Sequence, residues 1–373
     1  MALKNSIDTE LAAKRIADWL ASKWPEAQDI TVTDVNVPGA GGLSNETVLF
    51  TANWRDADGH QSRGMVARVQ PDGPGVFPEY DLAKEAAVIS ALAEQSPVPV
   101  PQVYFFEEDP SVFGAPFLVM QRIDGRVPPA DDPPFTATGW VLDLEPDQRR
   151  RMWHNTIDVL AQIHGADWRG LGLEFLDTPE NHSGLDECLA HWHRTFEWAA
   201  EGEPNPTLES ALRWLDANRP EHEGPRVLNW GDARVGNVIF SDDLAVDAVL
   251  DWEMVALGSR ELDLGWWLFM MRHNTEGVGQ PLPTGIPDHA ETIDYYERKT
   301  GYKLRDLHYY EVLGGTRLAI LMVRAAHMLI GAGLLPADSP MAQSNPASQL
   351  VAKLLDLPAP TGATTSFVGN RGQ

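Results

Sequence analysis

The pattern of apolar and polar positions changes character once along the chain. In the first part, short runs of β-branched and aromatic residues alternate with glycine, proline and aspartate, which predicts a mostly antiparallel sheet. The runs are ITVTDVNV, ETVLFTANW, GMVARVQ, QVYFFEE and PFLVMQRI. One helix interrupts them, because Leu82, Ala86, Ile89 and Ala93 recur at helical spacing and prolines follow. We therefore predict a β-rich first part.

Beyond Gly125 the pattern becomes helical. A proline-rich stretch, VPPADDPP, marks the boundary, and from about Asp147 apolar residues recur at helical spacing. Further helices are predicted over residues 184–200, 207–218, 287–300 and 305–332. The sequence therefore predicts an α+β protein whose second part is α-rich.

The length of the chain supports two lobes. Its 373 residues exceed the usual size of one domain, and an apolar fraction of 43% is enough for a sizeable core. We predict a β-rich lobe over residues 1–123 and an α-rich lobe over residues 124–355. Residues 356–373 contain few apolar side chains, so we expect a loose tail there.

Charge and cysteine content narrow the partners and the compartment. The formal net charge of −25 is spread along the chain, which makes nucleic acid or an anionic membrane a poor partner. Such a charge favours solubility more than it indicates a cationic substrate. Cys188 is the only cysteine, and the N-terminal stretch is typical of an amphipathic helix rather than a secretory signal. We therefore expect a cytoplasmic protein.

One late stretch, LAILMVRAAHMLIGAGLL, is strongly apolar. Arg324 and His327 interrupt it, and it is short for a membrane span. The sequence therefore predicts a buried helix here and no membrane association.

Polar side chains break the apolar stretch VLNWGDARVGNVIF, which lies between strand-like runs. Asp232 and Asn237 are five residues apart, and Asp251 follows fourteen residues later in VLDWE. Two carboxylates and one amide suit Mg²⁺, a hard ion that fills the rest of its shell with phosphate oxygens. Asp and Asn are also ordinary turn residues, but the combination indicates phosphoryl transfer.

These residues also carry a resemblance to a known family. WGDARVGN followed by LDWE resembles the catalytic loop and metal-binding segment of the aminoglycoside phosphotransferase family, and the likeness extends from GGLSNET to SRELDLGWW. Within the family, GDARVGNVIF and DWEMVALGSRELD resemble a bacterial branch of uncharacterised phosphotransferases, related to hydroxyacyl-CoA kinase domains, more than the drug-resistance enzymes. The resemblance implies a bilobal protein-kinase-like fold and an enzyme that uses ATP and Mg²⁺ to phosphorylate a hydroxyl group of a small molecule. We expect a monomer or a homodimer.

The resemblance implies roles for the loop residues. Asp232 would accept the proton of the acceptor hydroxyl, and Arg234 would neutralise charge on the γ-phosphate. Asn237 and Asp251 would hold Mg²⁺. Trp230 stands where the family has histidine. We interpret it as a changed support for the loop, provided that its indole N–H finds a partner.

In the β-rich lobe the resemblance implies a nucleotide site. Its residues would be Gly41, Gly42, Ser44, Asn45, Arg68, Glu85, Met120, Gln121 and Arg122. Glycines allow backbone N–H groups to approach phosphates, although a hairpin turn would look similar. Arg68 takes the place of the more usual lysine over the α- and β-phosphates, with Glu85 as its ion-pair partner. The backbone of residues 120–122 would bind adenine.

The acceptor and the activity remain open at the level of sequence. Six acidic residues lie where the family builds its acceptor pocket: Glu174, Asp177, Asp186, Glu187, Glu197 and Glu201. They could attract an amine-rich substrate or simply form a solvated helix face. An aminoglycoside kinase requires acidic residues that converge near Asp232, whereas a kinase of a hydroxyacyl-CoA-type metabolite requires basic or apolar ones. Trp230 and Arg68 also motivate a third hypothesis, a nucleotide-binding pseudokinase with a regulatory or scaffolding role.

Overall fold

The computed structural model describes four stretches of the chain, residues 9–38, 46–71, 73–130 and 133–362. The structure does not describe Gly41, Gly42, Ser44 and Asn45, so their predicted contacts with the nucleotide stay a prediction.

The chain forms two compact units. The first unit combines the residues up to Glu94 with residues 101–124, and the second combines residues 95–100 with residues 125–373. The short segment 95–100 was expected in the first lobe. It belongs to the second unit because it contacts residues there, as the 2.8 Å hydrogen bond from Val249 N–H to the Pro99 carbonyl illustrates.

The first unit is built on a five-stranded sheet in the order β1-β2-β3-β5-β4. The strands are β1 Gln28–Asn36, β2 Glu46–Asp56, β3 Gly59–Val69, β4 Val103–Glu107 and β5 Phe117–Gln121. All neighbouring pairs are antiparallel, which confirms the sequence prediction. Alternate residues of β2, such as Val48 and Phe50, enter the core, as the period of a strand requires.

Two helices complete the first unit, α1 Thr9–Lys23 and α2 Leu82–Gln95. Ile16 and Leu20 of α1 are fully buried in the same core as the inner residues of β2 and β3. The helix α2 presents Glu85 from its first turn, and this residue is buried. A buried carboxylate requires a partner, which is described with the site.

The second unit is mainly helical. Its helices are α3 Pro146–Gly165, α4 Leu185–Ala200, α5 Pro206–Ala217, α6 Arg260–His273, α7 His289–Thr300, α8 Leu307–Gly331 and α9 Pro346–Leu354. Two small antiparallel pairs accompany them, β6 Val227–Asn229 with β9 Ala256–Gly258 and β7 Val238–Phe240 with β8 Val246–Val249. The predicted α+β class, with a β-rich first part and an α-rich second part, is confirmed.

The helices α6 and α8 pack closely against each other in the second unit. Every residue of α6 from Glu261 to Met271 is buried. Glycines allow the close approach, because a Cβ at Gly265 would overlap the Tyr310 backbone carbonyl and a Cβ at Gly315 would overlap the Phe269 ring. This packing fixes α6, the helix that carries side chains to the catalytic loop.

The helix α8 is the apolar stretch that the sequence assigned to a buried helix. The prediction that it is too short for a span was wrong, because the helix begins at Leu307 and its 25 residues are long and apolar enough to cross a membrane. However, 67% of its most apolar window is buried inside the fold. Burial rather than length therefore identifies α8 as a core helix.

The described part of the C-terminal tail is attached to the second unit. Gln349 Nε2 donates to the Pro360 carbonyl at 2.9 Å, and Ser344 Oγ donates to the Gly362 carbonyl at 3.3 Å. The tail expected from residue 356 is thus held as far as Gly362, and residues 363–373 lie outside the described chain.

Candidate active site

The catalytic loop, residues 230–237, connects β6 to β7. A short 3-10 turn, Val235–Asn237, ends the loop and leads directly into β7. Gly231 has a φ of +91°, and a Cβ at this position would overlap the Met254 carbonyl. Because only glycine tolerates both conditions, the sequence Gly-Asp fixes the backbone direction from which Asp232 projects.

The Asp232 carboxylate is 8% exposed and accepts three side-chain hydrogen bonds. Trp266 Nε1 donates to Oδ1 at 2.9 Å. Asn237 Nδ2 and Arg234 Nε donate to Oδ2 at 2.7 Å and 3.0 Å. A carboxylate offers about four lone-pair positions, so these donors orient Asp232 and leave room for one hydroxyl proton.

Asp251 lies beside Asn237 because of a backbone hydrogen bond. Leu250 N–H donates to the Asn237 carbonyl at 2.9 Å, and Asp251 is the next residue. Its φ of +63° places it in the left-handed region, which non-glycine residues enter rarely and often at functional sites. The structure thus brings together Asp232, Asn237 and Asp251, the trio expected from the sequence.

Asn237 and Asp251 provide oxygen atoms of the kind that Mg²⁺ binds. Asn237 uses its amide nitrogen to bind Asp232, so its Oδ1 is the ligand atom that it can offer. Within the described residues, no group of three or more His, Cys, Asp or Glu is arranged to hold a metal. A site with two protein ligands suits Mg²⁺, which keeps waters and phosphate oxygens in its shell.

A buried chain of hydrogen bonds anchors the backbone of the loop. Asp263, which is 0% exposed, accepts from Trp230 N–H at 2.7 Å and from Gly231 N–H at 2.8 Å. His164 Nε2 lies 3.1 Å from the same carboxylate, and its Nδ1 lies 2.6 Å from the Tyr296 hydroxyl. Burial raises the pKa of Tyr296, so this phenol stays neutral and can donate. Asp263 therefore anchors the backbone of the loop at Trp230 and Gly231.

Trp230, the residue that replaces the family histidine, is 1% exposed. Its indole N–H donates to the Leu250 carbonyl at 2.8 Å, and its ring lies beside that of Trp252. A buried tryptophan requires such a partner for its N–H. Since Leu250 precedes Asp251, the Trp230 side chain joins the loop to the segment that contains Asp251.

In the first unit Arg68 and Glu85 form an ion pair. Arg68 Nη1 lies 3.4 Å from Glu85 Oε2, and the two side chains are 11% and 2% exposed. Arg68 stands on β3 and Glu85 on α2, so the pair links the sheet to the helix. A guanidinium with most of its surface buried is held in one orientation, as a phosphate contact requires.

The segment 120–122 differs from the expectation in one respect. Met120 and Gln121 end β5, and Arg122 follows. Gln121 N–H donates to the Gln102 carbonyl at 2.8 Å and Arg122 N–H donates to the Gly64 carbonyl at 3.1 Å. These two amides already have partners within the first unit, so neither is available to bind adenine.

A family model described as the phosphotransferase enzyme family matches residues 37–295, a region that includes the catalytic loop and Asp263. The chain belongs to this family. The match covers more than half of the chain, and it confirms the aminoglycoside phosphotransferase resemblance and the assignment as a small-molecule phosphotransferase.

Two curated relatives of this phosphotransferase carry acyl-CoA dehydrogenase names. The probable acyl-CoA dehydrogenase IBR3 of Arabidopsis thaliana is 27% identical over 66% of this chain and 30% of its own length. Acyl-CoA dehydrogenase family member 11 of Homo sapiens is 28% identical over 70% of this chain and 34% of its own. The chain thus spans about a third of the length of these relatives.

Solved structures show the fold of this phosphotransferase. A putative aminoglycoside phosphotransferase from Ralstonia eutropha has a TM-score of 0.66 at 23% identity and covers 92% of this chain and 98% of its own. A thermostable APH(4)-Ia variant in ternary complex with AMP-PNP and hygromycin B has a TM-score of 0.54 at 14% identity, covering 96% and 100%. The predicted kinase-like fold is confirmed.

Sequence reasoning missed two residues of α6 near the loop of this phosphotransferase, Trp266 and His273. Asp263, Trp266 and His273 lie at positions i, i+3 and i+10 of α6, which is one face of a helix. Trp266 reaches Asp232, while burial and then the charge of Arg234 lower the pKa of His273 to about 4. The helical spacing from Asp263 was the signal that could have found them.

The acidic residues expected around the acceptor do not form a set of unpaired carboxylates. Asp177 pairs with Arg226, and Asp186 pairs with Arg219. Glu201 pairs with Arg324, and Glu174 and Glu197 are exposed. Half of the six carboxylates are therefore neutralised by arginine, which favours an ordinary charged surface over a polyamine pocket.

A cavity of about 370 Å³ lies at the C-terminal end of α6. Its lining residues are Met271, Arg272, Thr275, Glu276, Leu282, Asp288, His289 and Ala290. Arg272 is held there by Glu311 at 2.9 Å and Glu276 at 3.3 Å. The cavity has the size of a small-molecule site. It lies at the end of α6, the helix from which Trp266 reaches Asp232.

Proposed function

We propose that this phosphotransferase transfers the γ-phosphoryl group of ATP, in the presence of Mg²⁺, to a hydroxyl group of a small molecule. The proposal rests on the proximity of three residues. The Asn237 amide nitrogen lies 2.7 Å from the Asp232 carboxylate, and Asp251 follows Leu250, whose N–H is hydrogen-bonded to the Asn237 carbonyl. A base and a metal-binding pair are the minimum that phosphoryl transfer requires.

Each residue of the loop then has a chemical task. Asp232 accepts the proton of the attacking hydroxyl, and Trp266 and Asn237 hold its carboxylate in position. Arg234 contacts Asp232 through Nε and is 22% exposed, so its positive charge lies beside the proposed base and can neutralise charge on the transferred group. Asn237 and Asp251 would hold Mg²⁺, which supplies charge neutralisation on the phosphates when it is bound.

The first unit would bind the nucleotide. Arg68 would contact the α- and β-phosphates, with its orientation set by Glu85. The glycine-rich segment with Gly41 and Gly42 would bring backbone N–H groups to the phosphates. A lysine is more usual at the position of Arg68, but arginine keeps the charge and adds a second donor direction.

For the acceptor we propose a hydroxyacyl-CoA-type metabolite rather than an aminoglycoside. Arginines pair with half of the six acidic residues that could bind amines, so these residues do not form a set of unpaired carboxylates for an amine-rich acceptor. The acyl-CoA dehydrogenase names of the curated relatives point to the same class. A cytoplasmic location suits such a metabolite.

The partner found for the Trp230 indole N–H and the Arg68–Glu85 ion pair favour an enzyme over a pseudokinase. Trp230 and Arg68 both depart from the family pattern, but each makes the contact that its proposed role requires: a hydrogen bond for the Trp230 indole and an ion pair for Arg68.

The decisive experiment is an acceptor screen with ATP labelled at the γ-phosphate. Hydroxyacyl-CoA compounds, simple hydroxy acids and kanamycin are offered to the purified protein, and Asp232→Asn serves as the inactive control. Asp186→Asn, at an exposed ion pair, is the matched control for loss of one carboxylate. Transfer to a hydroxyacyl-CoA that is lost in Asp232→Asn supports the proposal. Efficient transfer to kanamycin would contradict the acceptor class, and MgATP binding without any transfer or hydrolysis would favour the pseudokinase.

A further inference from the structure

Arg317 is a buried arginine that touches the catalytic loop. It lies on α8 and is 5% exposed. Its Nη2 donates to the Gly231 carbonyl at 3.1 Å. Gly231 precedes Asp232, so this hydrogen bond holds the carbonyl of the peptide bond that joins Gly231 to Asp232.

A second route connects Arg317 to the same carboxylate. The guanidinium carbon lies 4.7 Å from the ring centroid of Trp266 and 5.2 Å from that of Trp192. Trp266 in turn donates its indole N–H to Asp232. Arg317 therefore supports Asp232 both through the backbone and through the tryptophan that binds it.

Few hydrogen bonds offset the desolvation of the buried Arg317 guanidinium. Its Nε has no hydrogen-bond partner among the described residues. Burial lowers its pKa, and the carboxylates of Asp263 and Asp232 oppose that effect. An arginine nevertheless stays charged in a protein, and an apolar side chain of similar length would fill the space between two tryptophans at a lower desolvation penalty.

We infer that Arg317 is a positioning residue for phosphoryl transfer: it fixes the Gly231 carbonyl and the Trp266 ring so that the Asp232 carboxylate keeps the orientation that accepts the hydroxyl proton. The inference rests on the proposed function. Arg317 does not touch the substrate; it acts through Gly231 and Trp266.

The first test compares two arginines of α8. Arg317→Met keeps an unbranched apolar chain between the tryptophans but removes the charge and the donors. We expect kcat to fall about tenfold or more, because small misplacements of a catalytic group have large effects, while the KM for ATP changes by less than about twofold. Arg317→Lys should restore part of kcat. Arg324→Met is the matched control: Arg324 lies two turns further along α8, over the Trp198 ring at 4.5 Å, and it should keep kcat within about twofold.

The double variant with Asp232→Asn separates positioning from general damage. If Arg317 acts through Asp232, Arg317→Met should have almost no further effect on residual turnover in the Asp232→Asn background. Equal fractional losses in both backgrounds would overturn the inference, as would a folded Arg317→Met protein with parental kcat.

A readout without turnover keeps the inference distinct from the proposed function. In protein labelled with ¹⁵N-tryptophan, the indole resonance of Trp266, assigned by its absence in Trp266→Phe, should shift in Arg317→Met and in Asp232→Asn but not in Arg324→Met. An unchanged Trp266 resonance in Arg317→Met would overturn the inference. A parent protein that transfers phosphate to no acceptor, yet shows this shift, would contradict only the proposed function.

Discussion

Trp266 of α6 donates its indole N–H to the Asp232 carboxylate at 2.9 Å, across 34 positions of the sequence. The same helix carries Asp263 one turn earlier, where it accepts two backbone N–H groups of the catalytic loop. One rigid helix therefore sets both the backbone and the side chain of the residue proposed as the base.

Replacement of the indole should weaken transfer without affecting nucleotide binding. Trp266→Phe removes one of the donors to Asp232 and keeps an aromatic ring, so we expect kcat to fall about tenfold, since one hydrogen bond to a charged group is worth roughly 1.5–3 kcal/mol. The KM for ATP should stay close to that of the parent. Steady-state kinetics checks both values, and a raised KM with parental kcat would contradict the role.

The two carboxylates of the trio should have different phenotypes. Asp232→Asn is nearly isosteric, so transfer should fall by about 10² or more while the affinity for MgATP changes little. Asp251→Asn removes charge from the metal site, so the Mg²⁺-dependent part of ATP affinity should fall with turnover. Calorimetric titration of ATP with and without Mg²⁺ distinguishes them. Parental turnover in Asp232→Asn would refute its role as base.

The Arg68–Glu85 pair allows a test of nucleotide binding. Arg68→Ala removes the positive charge proposed to contact the phosphates and the ion pair with Glu85, so we expect a higher KM for ATP, a lower kcat and a lower melting temperature. Arg68→Lys keeps the charge and should retain part of the activity. If Arg68→Ala bound and used ATP like the parent, Arg68 would have no contact with the phosphates.

A methyl group between α6 and α8 should destabilise the second unit. A Cβ at Gly265 overlaps the Tyr310 backbone, so Gly265→Ala should lower the free energy of unfolding by about 1–3 kcal/mol. Gly331→Ala, at the end of α8 with nothing within 4 Å of a new Cβ, is the control and should be neutral or slightly stabilising. Denaturant titration measures both. Equal stability of the two variants would contradict the packing.

His273 should contribute to the pH dependence of stability. Burial, together with the charge of Arg234, lowers its pKa from 6.5 to about 4. Between these values the unfolded chain binds a proton that the folded chain does not, so the free energy of unfolding falls as the pH falls. In His273→Gln, the free energy of unfolding should fall less between pH 6.5 and pH 5 than in the parent, as measured by denaturant titration at each pH. His222→Gln, at an exposed histidine, should behave like the parent. The same slope in His273→Gln and the parent would refute the contribution.

The sequence predicted those features that depend on local pattern. Alternation in β2 and β3 and the spacing in WGDARVGN are properties of neighbouring residues, and the structure has the sheet and a direct hydrogen bond between Asn237 and Asp232. The helix α6 was missed because it is apolar on nearly every side and has no amphipathic period to detect. Arg317 and His164 were missed because their contacts with the loop depend on the packing of distant helices, which no local spacing encodes.

The position of Pro99 has a consequence for the order in which the protein folds during synthesis. Its carbonyl accepts from Val249, which the ribosome adds about 150 residues later, at roughly 5–20 residues each second. The strands β4 and β5 emerge long before Val249, so the five-stranded sheet can close while residues 95–100 still lack this partner. A nascent chain stalled once residue 124 has left the ribosome should therefore have a protected sheet and an exposed, protease-sensitive bridge between α2 and β4. The bridge should become protected only after β8 has emerged.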